Sequence, residues 1–428
     1  MRFHRSFSPK TLLAMGPWRW AVSSALCGAL IACSPGDEIG GADGDRVASE
    51  IEGVLAGDLH LGPGDGFHLV SSDLLVPGGI TLSVSAGTEM RVATGATIIV
   101  HGTLDLSGSR TDSIHVRSAS ERPGAGDWQG IVVDTTAAVA KLSFARILHA
   151  VRGVAVEGGG LAQLDSTTVG WSRDAALWVG SGQAVARGSE FLDAAVGARS
   201  DAGRLRVVGG RFARCNEVGF YSDGGIDTVS HSEFIETMGD GIRVESSRGA
   251  YVLSNRIEVG GIAVSLRNAP QRTVVDSNVV HGGRIGLRAH GARESSARGN
   301  TFVGIKRWAI ECFGTDISIE SNVIDSCGSG IRVAAGAGPT ITDNVIGGQA
   351  GDGIRVEEGN PVIRLNSIVD NGGFGIWTPD WVAPVTASDN WWGDASGPKD
   401  AYGNPAGLGD MVTRWVDYAP WATQPPGG

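Results

Sequence analysis

The chain has 428 residues, a formal net charge of −11 and 66 glycines, about twice the usual glycine share. An acidic balance of this size argues against nucleic acid as a partner, because phosphate binding runs on clustered positive charge. Five cysteines, two of them in the first 33 residues, exclude a disulfide-dense scaffold.

In chain order, residues 1–33 read as a targeting segment. Arg2, Arg5, Lys10 and Arg19 precede an apolar stretch over 20–32 that is too short to span a bilayer. It ends Leu30-Ile31-Ala32-Cys33, which resembles the lipobox of bacterial lipoproteins. That resemblance implies acylation at Cys33, with Ser34 favouring the outer membrane in a diderm bacterium; the alternative is an ordinary signal peptide that contains a cysteine. Without this segment the chain has 31 basic against 46 acidic residues, a charge of −15. Residues 34–59 are acidic and rich in Gly and Ala, as expected of a flexible tether. An exported protein is predicted, whose only contact with a membrane is its lipid.

From residue 60 to 422 the sequence is organised by a repeat. Asn278, Asn300, Asn322, Asn344 and Asn366 lie 22 residues apart, with Asn255 before them and Asn390 after. The register continues backwards through Ser232, Gly210, Ser189, Thr167 and Ala145, and a Phe, Ile or Val stands two places beyond each. A second frame, glycine followed by apolar-x-apolar, has the same period, as in Gly153-Val-Ala-Val, Gly241-Ile-Arg-Val, Gly261-Ile-Ala-Val and Gly353-Ile-Arg-Val. Such alternation over three to five residues is strand periodicity, and a fixed period marks stacked coils. The expected fold is all-β: one solenoid with its first coils at 60–135, regular coils at 136–389, a closure at 390–422 and a disordered tail at 423–428. A leucine-rich repeat shares the period, but the stretch after Asn322, Asp325-Ser-Cys-Gly-Ser-Gly330, is broken by glycine where that fold needs a leucine-rich return.

The combined pattern resembles the right-handed parallel β-helix of the pectate-lyase-like superfamily, in its bacterial surface-lipoprotein form. The resemblance rests on Val76-Pro-Gly-Gly-Ile-Thr-Leu82, on Asp127-Trp128-Gln-Gly130-Ile131, and on Asn390-Trp391-Trp392-Gly393 with Val416-Asp-Tyr418-Ala-Pro420-Trp421. Trp391, Trp392, Trp415 and Trp421 are the expected plug of the last coil. In this family the enzymes that act on acidic polysaccharides place their catalytic groups on the Gly-apolar-x-apolar strand, which directs attention to its outward residues. Those are Ala155, Trp178, Arg199, Tyr221, Arg243, Ala263, Arg288, Glu311, Arg332, Arg355 and Trp377, with Glu157, Asp201, Asp223, Glu245, Ser265, His290 and Glu357 two places further on.

Two readings of this strip stand side by side. As a glycan-binding surface, Arg243, Arg288, Arg332 and Arg355 pair with sugar carboxylates, and Trp178, Tyr221 and Trp377 stack on sugar faces. As a structural surface, Arg243 with Glu245 and Arg355 with Glu357 are exposed ion pairs, each contributing ~0–1 kcal/mol. A lyase reading takes Arg199, Asp201, Tyr221, Asp223, Arg243 and Glu245 as catalytic candidates, with calcium as the only cofactor it would admit. The nearest match to the alginate-epimerase motif, residues 218–223, has Tyr221 in place of the motif's Asp and Asp223 in place of its His, so no catalytic role carries over. Coils of 21 to 24 residues from Ala145 to Asn390 leave no long loops to wall a cleft, and enclosure is what strengthens electrostatics at an active site. The histidines have no metal-ligand spacing. The chain therefore reads as a monomeric surface protein that binds or scaffolds a polysaccharide or cell-envelope glycan; the alternatives are a polysaccharide lyase and a passive spacer that adheres to another protein.

Overall fold

The computed structural model describes residues 46–426 apart from 269–271 and 382. Cys33, the targeting segment, the start of the tether and the last two residues of the tail lie outside the described residues. The fold is a right-handed parallel β-solenoid of about fifteen coils, as the repeat predicts.

Each regular coil contributes one short strand to each of three faces. After Asn278 these are Val279–His281, Ile285–His290 and Ser296–Arg298. Each pairs in parallel with its counterpart one coil on, through Val280↔Phe302, Arg288↔Glu311 and Ala297↔Ile319. A strand alternates its side chains between inside and outside, so Val280, Leu287 and Ala297 are buried. Stacked coil on coil, such residues form one core from Ile51 to Val416 that includes Ile242, Ile310, Ile331 and Ile354. The face built on the Gly-apolar-x-apolar strands is called the strip face below, and the face beginning one residue after each Asn the corner face.

The corner leading into the corner face has a local cause. The residue before each Asn is left-handed: Ser254, Ser277, Ser321, Asp343, Leu365 and Asp389 have φ between 53° and 60°. One such residue bends the chain and points the next side chain into the core, where its polar atoms need partners. Asn322 shows how they are found. Its backbone N–H and its Nδ2 both donate to Asn344 Oδ1 at 2.9 Å, and Nδ2 also donates to the Ala297 carbonyl at 2.9 Å. The pattern runs from Asn255 to Asn390.

A second polar column escapes a search for repeated residues. The Cys327 N–H donates to Gln349 Oε1 at 2.9 Å, Gln349 N–H to Asn371 Oδ1 at 3.4 Å, and Asn371 N–H to Asp410 Oδ2 at 3.1 Å. Cys215, Cys312 and Cys327 are free and buried. Burial pushes their thiols up to about 12, 12 and 11, so they serve as apolar filler.

Both ends differ from expectation in detail. The tether does not extend to residue 59: Val47–Val54 forms a strand parallel to Phe67–Val76. Ile51 and Leu55 cover the first coil and are buried, which gives these residues an apolar reason to order. At the other end only Trp392 is fully buried, against Gly375. Trp391, Trp415 and Trp421 are half-buried, and Val385–Thr386 pairs with Val416–Asp417 to close the stack.

Candidate functional site

The strip face presents a straight column. Ala155, Trp178, Arg199, Tyr221, Arg243, Ser265, Arg288, Glu311, Arg332, Arg355 and Trp377 pair in register up the axis. One member differs from the sequence reading. Ser265, not Ala263, stands opposite Arg243, and Arg267, not Ser265, stands opposite Glu245. The Gly261 frame lies two residues early, and Ala263 occupies the small-residue position of Gly241, where the next coil's carbonyl approaches too closely for anything large.

At the lower end, rings and charges interlock. The Arg152 guanidinium lies over the Trp178 ring at 4.0 Å and pairs with Asp174 at 2.8 Å. Trp178 Nε1 donates to Asp201 at 2.8 Å, Arg199 Nε donates to the same carboxylate at 2.6 Å, and the Arg199 guanidinium lies 5.1 Å from the Tyr221 ring centre. Tyr221 donates its hydroxyl to Glu245 at 3.0 Å. Burial, that hydrogen bond and the charges of Asp223 and Glu245 push the Tyr221 pKa upwards. Asp223 stands between Asp201 and Glu245, and burial followed by their two charges raises its carboxyl.

The upper end is a closed lattice. Arg288 holds one oxygen of Glu311 through Nε at 2.8 Å and Nη2 at 2.6 Å, and Arg332 reaches the other at 3.5 Å. Arg332 also pairs with Glu357 at 2.7 Å; Arg355 pairs with Glu357 at 3.3 Å and Asp352 at 3.0 Å, and lies 3.8 Å over Trp377. The Glu311 side chain is only 1% exposed, so this carboxylate is part of the interior. Burial alone would raise the Glu357 carboxyl, but hydrogen bonds and charge from Arg332 and Arg355 outweigh it and hold it below its usual range.

The binding candidates are thus aligned but not freely exposed. Side-chain exposure is 26% for Arg243, 25% for Arg288, 21% for Arg332 and 33% for Arg355. Arg243 pairs with Asp240 at 2.8 Å rather than with Glu245, whose ion-pair partner is Arg267 at 3.5 Å. Sequence reasoning missed Asp240 and Asp352, although the string Asp-Gly-Ile-Arg-Val occurs at both 240 and 352 and places the carboxylate three residues before the arginine. The lyase candidates come together on neighbouring coils, with Asp201, Asp223 and Glu245 in one column. Among the described residues no three His, Cys, Asp or Glu converge as metal ligands, and Asp201 and Glu245 already serve Trp178, Arg199, Tyr221 and Arg267.

A family model described as right-handed β-helix region matches residues 129–302 and 260–398. No curated protein matches the chain. Among solved structures it is similar to the periplasmic alginate epimerase AlgG, at 12% identity over 82% of this chain and 78% of that one, with a TM-score of 0.46. It is similar to the A-module of the Azotobacter vinelandii mannuronan C-5 epimerase AlgE4, at 15% identity over 76% and 88%, with a TM-score of 0.39. A third is PfbA, a surface adhesin of Streptococcus pneumoniae, at 12% identity over 74% and 84%, with a TM-score of 0.29. These likenesses carry no argument about chemistry.

Proposed function

The chain belongs to the right-handed β-helix family, and we propose that it binds or scaffolds polysaccharide along the strip face without catalysis, as an exported protein held at the cell surface by a lipid on Cys33. The observation that carries this reading is the aligned column of planar groups, repeated at the coil spacing of ~4.8 Å, close to one sugar ring per coil. The arginines are fixed by carboxylates before any ligand arrives, which removes part of the ordering cost of binding. A guanidinium has five N–H donors, more than the pairs above use, and the paired carboxylates retain lone pairs for hydroxyl donors.

Two features weigh against a lyase. A phenol whose pKa is raised keeps its proton and is a poor general base, because efficient proton transfer needs a pKa near the working pH. The strip is also open to water along its length, which weakens any charge stabilisation there.

The test is a glycan array probed with the wild type and with Arg243→Ala/Trp377→Ala, together with an ultraviolet assay for unsaturated uronate products. The unfolding midpoint of the variant is measured alongside, because Arg243 is the nearer ion-pair partner of the buried Asp240. Retention of a glycan by the wild type, weakened at least tenfold in the variant and more weakly held as salt rises, with no ultraviolet product, is the expected result. Product formation makes the protein a lyase, and no retained glycan leaves it a spacer. For the anchor, Cys33→Ser should abolish palmitate labelling and release the protein from the membrane fraction. Absence of label in the wild type refutes acylation.

A further inference from the structure

We infer that a recess at the upper end of the strip, beneath Trp381, is a subsite for an uncharged sugar ring; this rests on the polysaccharide reading above. Phe313 is paired with Ala334 in the column beside the arginines, and Glu357 follows one coil on. A ring gives way to a methyl group at Ala334, and Ala335 turns away at a φ of 54°. Above them the strip strand ends at Ile376–Trp377, and the next strand among the described residues is Val385–Thr386. The intervening loop carries Trp381, whose surface is 83% exposed. Between loop and coils lies a space of about 520 Å³, lined by Ala334, Ala335, Glu357, Glu358, Gly359 and Trp381 among others. That volume is within the ~300–1,000 Å³ typical of small-molecule sites.

The lining specifies the ligand. An exposed indole beside a recess offers a flat apolar face to the C–H face of a sugar ring. Glu357 and Glu358 supply carboxylate acceptors for hydroxyl groups. Each Glu357 oxygen is already shared with an arginine, Oε2 with Arg332 and Oε1 with Arg355, so the group is fixed in place. Glu358 is exposed and has no ion pair among the described residues. No Arg or Lys lines the space, so a uronate entering it would meet like charge. The ligand is a neutral pyranose with at least two hydroxyl donors, which makes the recess chemically distinct from the arginine-bearing strip below it.

Calorimetric titration of the full chain with neutral hexasaccharides (cellohexaose and mannohexaose) and with hexagalacturonate tests this. A neutral hexasaccharide should bind the wild type, bind at least tenfold more weakly to Trp381→Ala and about threefold more weakly to Glu358→Gln, and recover partly in Trp381→Phe. Hexagalacturonate should be indifferent to Trp381→Ala, and because Trp381 is exposed the unfolding midpoint should not move. Equal neutral-sugar binding by Trp381→Ala, or wild-type binding of hexagalacturonate alone, overturns the subsite and leaves the strip reading standing. Wild-type binding of none of the three also overturns the subsite, and if the array then shows no glycan the strip reading falls with it.

Discussion

The lower half of the solenoid, from Thr167 to Ser232, and the upper half, from Asn255 to Asn390, meet one corner requirement with different chemistry. From Asn278 to Asn366 each Asn accepts two N–H groups from the coil before it and donates to both a carbonyl and the next Asn. In the lower half Ser189 Oγ accepts from Thr167 N–H at 3.2 Å and donates to the Leu164 carbonyl at 3.2 Å, and Ser232 Oγ accepts from Gly210 N–H at 3.0 Å and donates to the Ser230 carbonyl at 2.9 Å. What the amide provides above, aromatic packing provides below: Phe191, Phe212 and Phe234 stack with centres 5.0 and 4.5 Å apart. At Ser189 and Ser232 a hydroxyl thus supplies the acceptor that an amide oxygen supplies above, while Gly210 in the same column has no side chain to supply one. The strip divides at nearly the same height, into a lower part where Asp223 is pressed between carboxylates and an upper part where Glu311, Asp352 and Glu357 each meet an arginine.

Substitutions that break this division should rank in a definite order. Phe212→Ala should cost most, about 3–5 kcal/mol, by emptying the middle of the stack, and equilibrium unfolding in urea measures it. Asn322→Ala should cost about 2–4 kcal/mol, because the Asn300 N–H and the Ala297 carbonyl each lose a buried partner at ~1–3 kcal/mol. Asn322→Ser sharpens the comparison. If a hydroxyl satisfies this corner as it does at Ser189, the serine variant should recover at least half of that loss; no recovery would mean that the upper half depends on the amide itself.

Leu365 is the one large apolar residue among the left-handed residues that precede the upper asparagines, at a φ of 59° and with its side chain exposed. Leu365→Gly should stabilise by about 1 kcal/mol, since a left-handed L-residue costs about 1–2 kcal/mol and little packing is lost. The smallest effect is pH-dependent. The folded pKa of Asp223 is raised, so ionising it disfavours the fold; that cost begins as pH rises through the ordinary carboxylate range and is complete above the raised value. Asp223→Asn should accordingly raise the melting temperature at pH 7 and give no gain below about pH 4. A gain independent of pH would mean that charge is not the cause.

These divisions also decide what the sequence reveals. The upper corners are legible because a self-bonding amide repeats as the same letter, whereas the ladder from Cys327 through Gln349 and Asn371 to Asp410 uses four letters for one role and stays hidden. The strip column is legible from glycine followed by apolar-x-apolar, except where Gly261 imitates the frame. Counting eight residues from the corner, as from Asn278 to Gly286, lands on Ala263 and restores the register. Burial of Glu311 is not legible, because an outward position looks exposed in one strand and becomes covered only when arginines from the coils on both sides close over it. The Trp381 recess depends on a loop leaving the coil plan, and no periodicity announces that.

Hydroxyl-radical footprinting of the full chain, with and without a glycan retained on the array, tests the strip most directly. The account predicts protection at Trp178, Tyr221 and Trp377, with none at Tyr251 on the opposite strand Gly249–Leu253 or at Tyr402 in the closure, both exposed. Protection at Tyr251 or Tyr402 with Trp178, Tyr221 and Trp377 unchanged would contradict it.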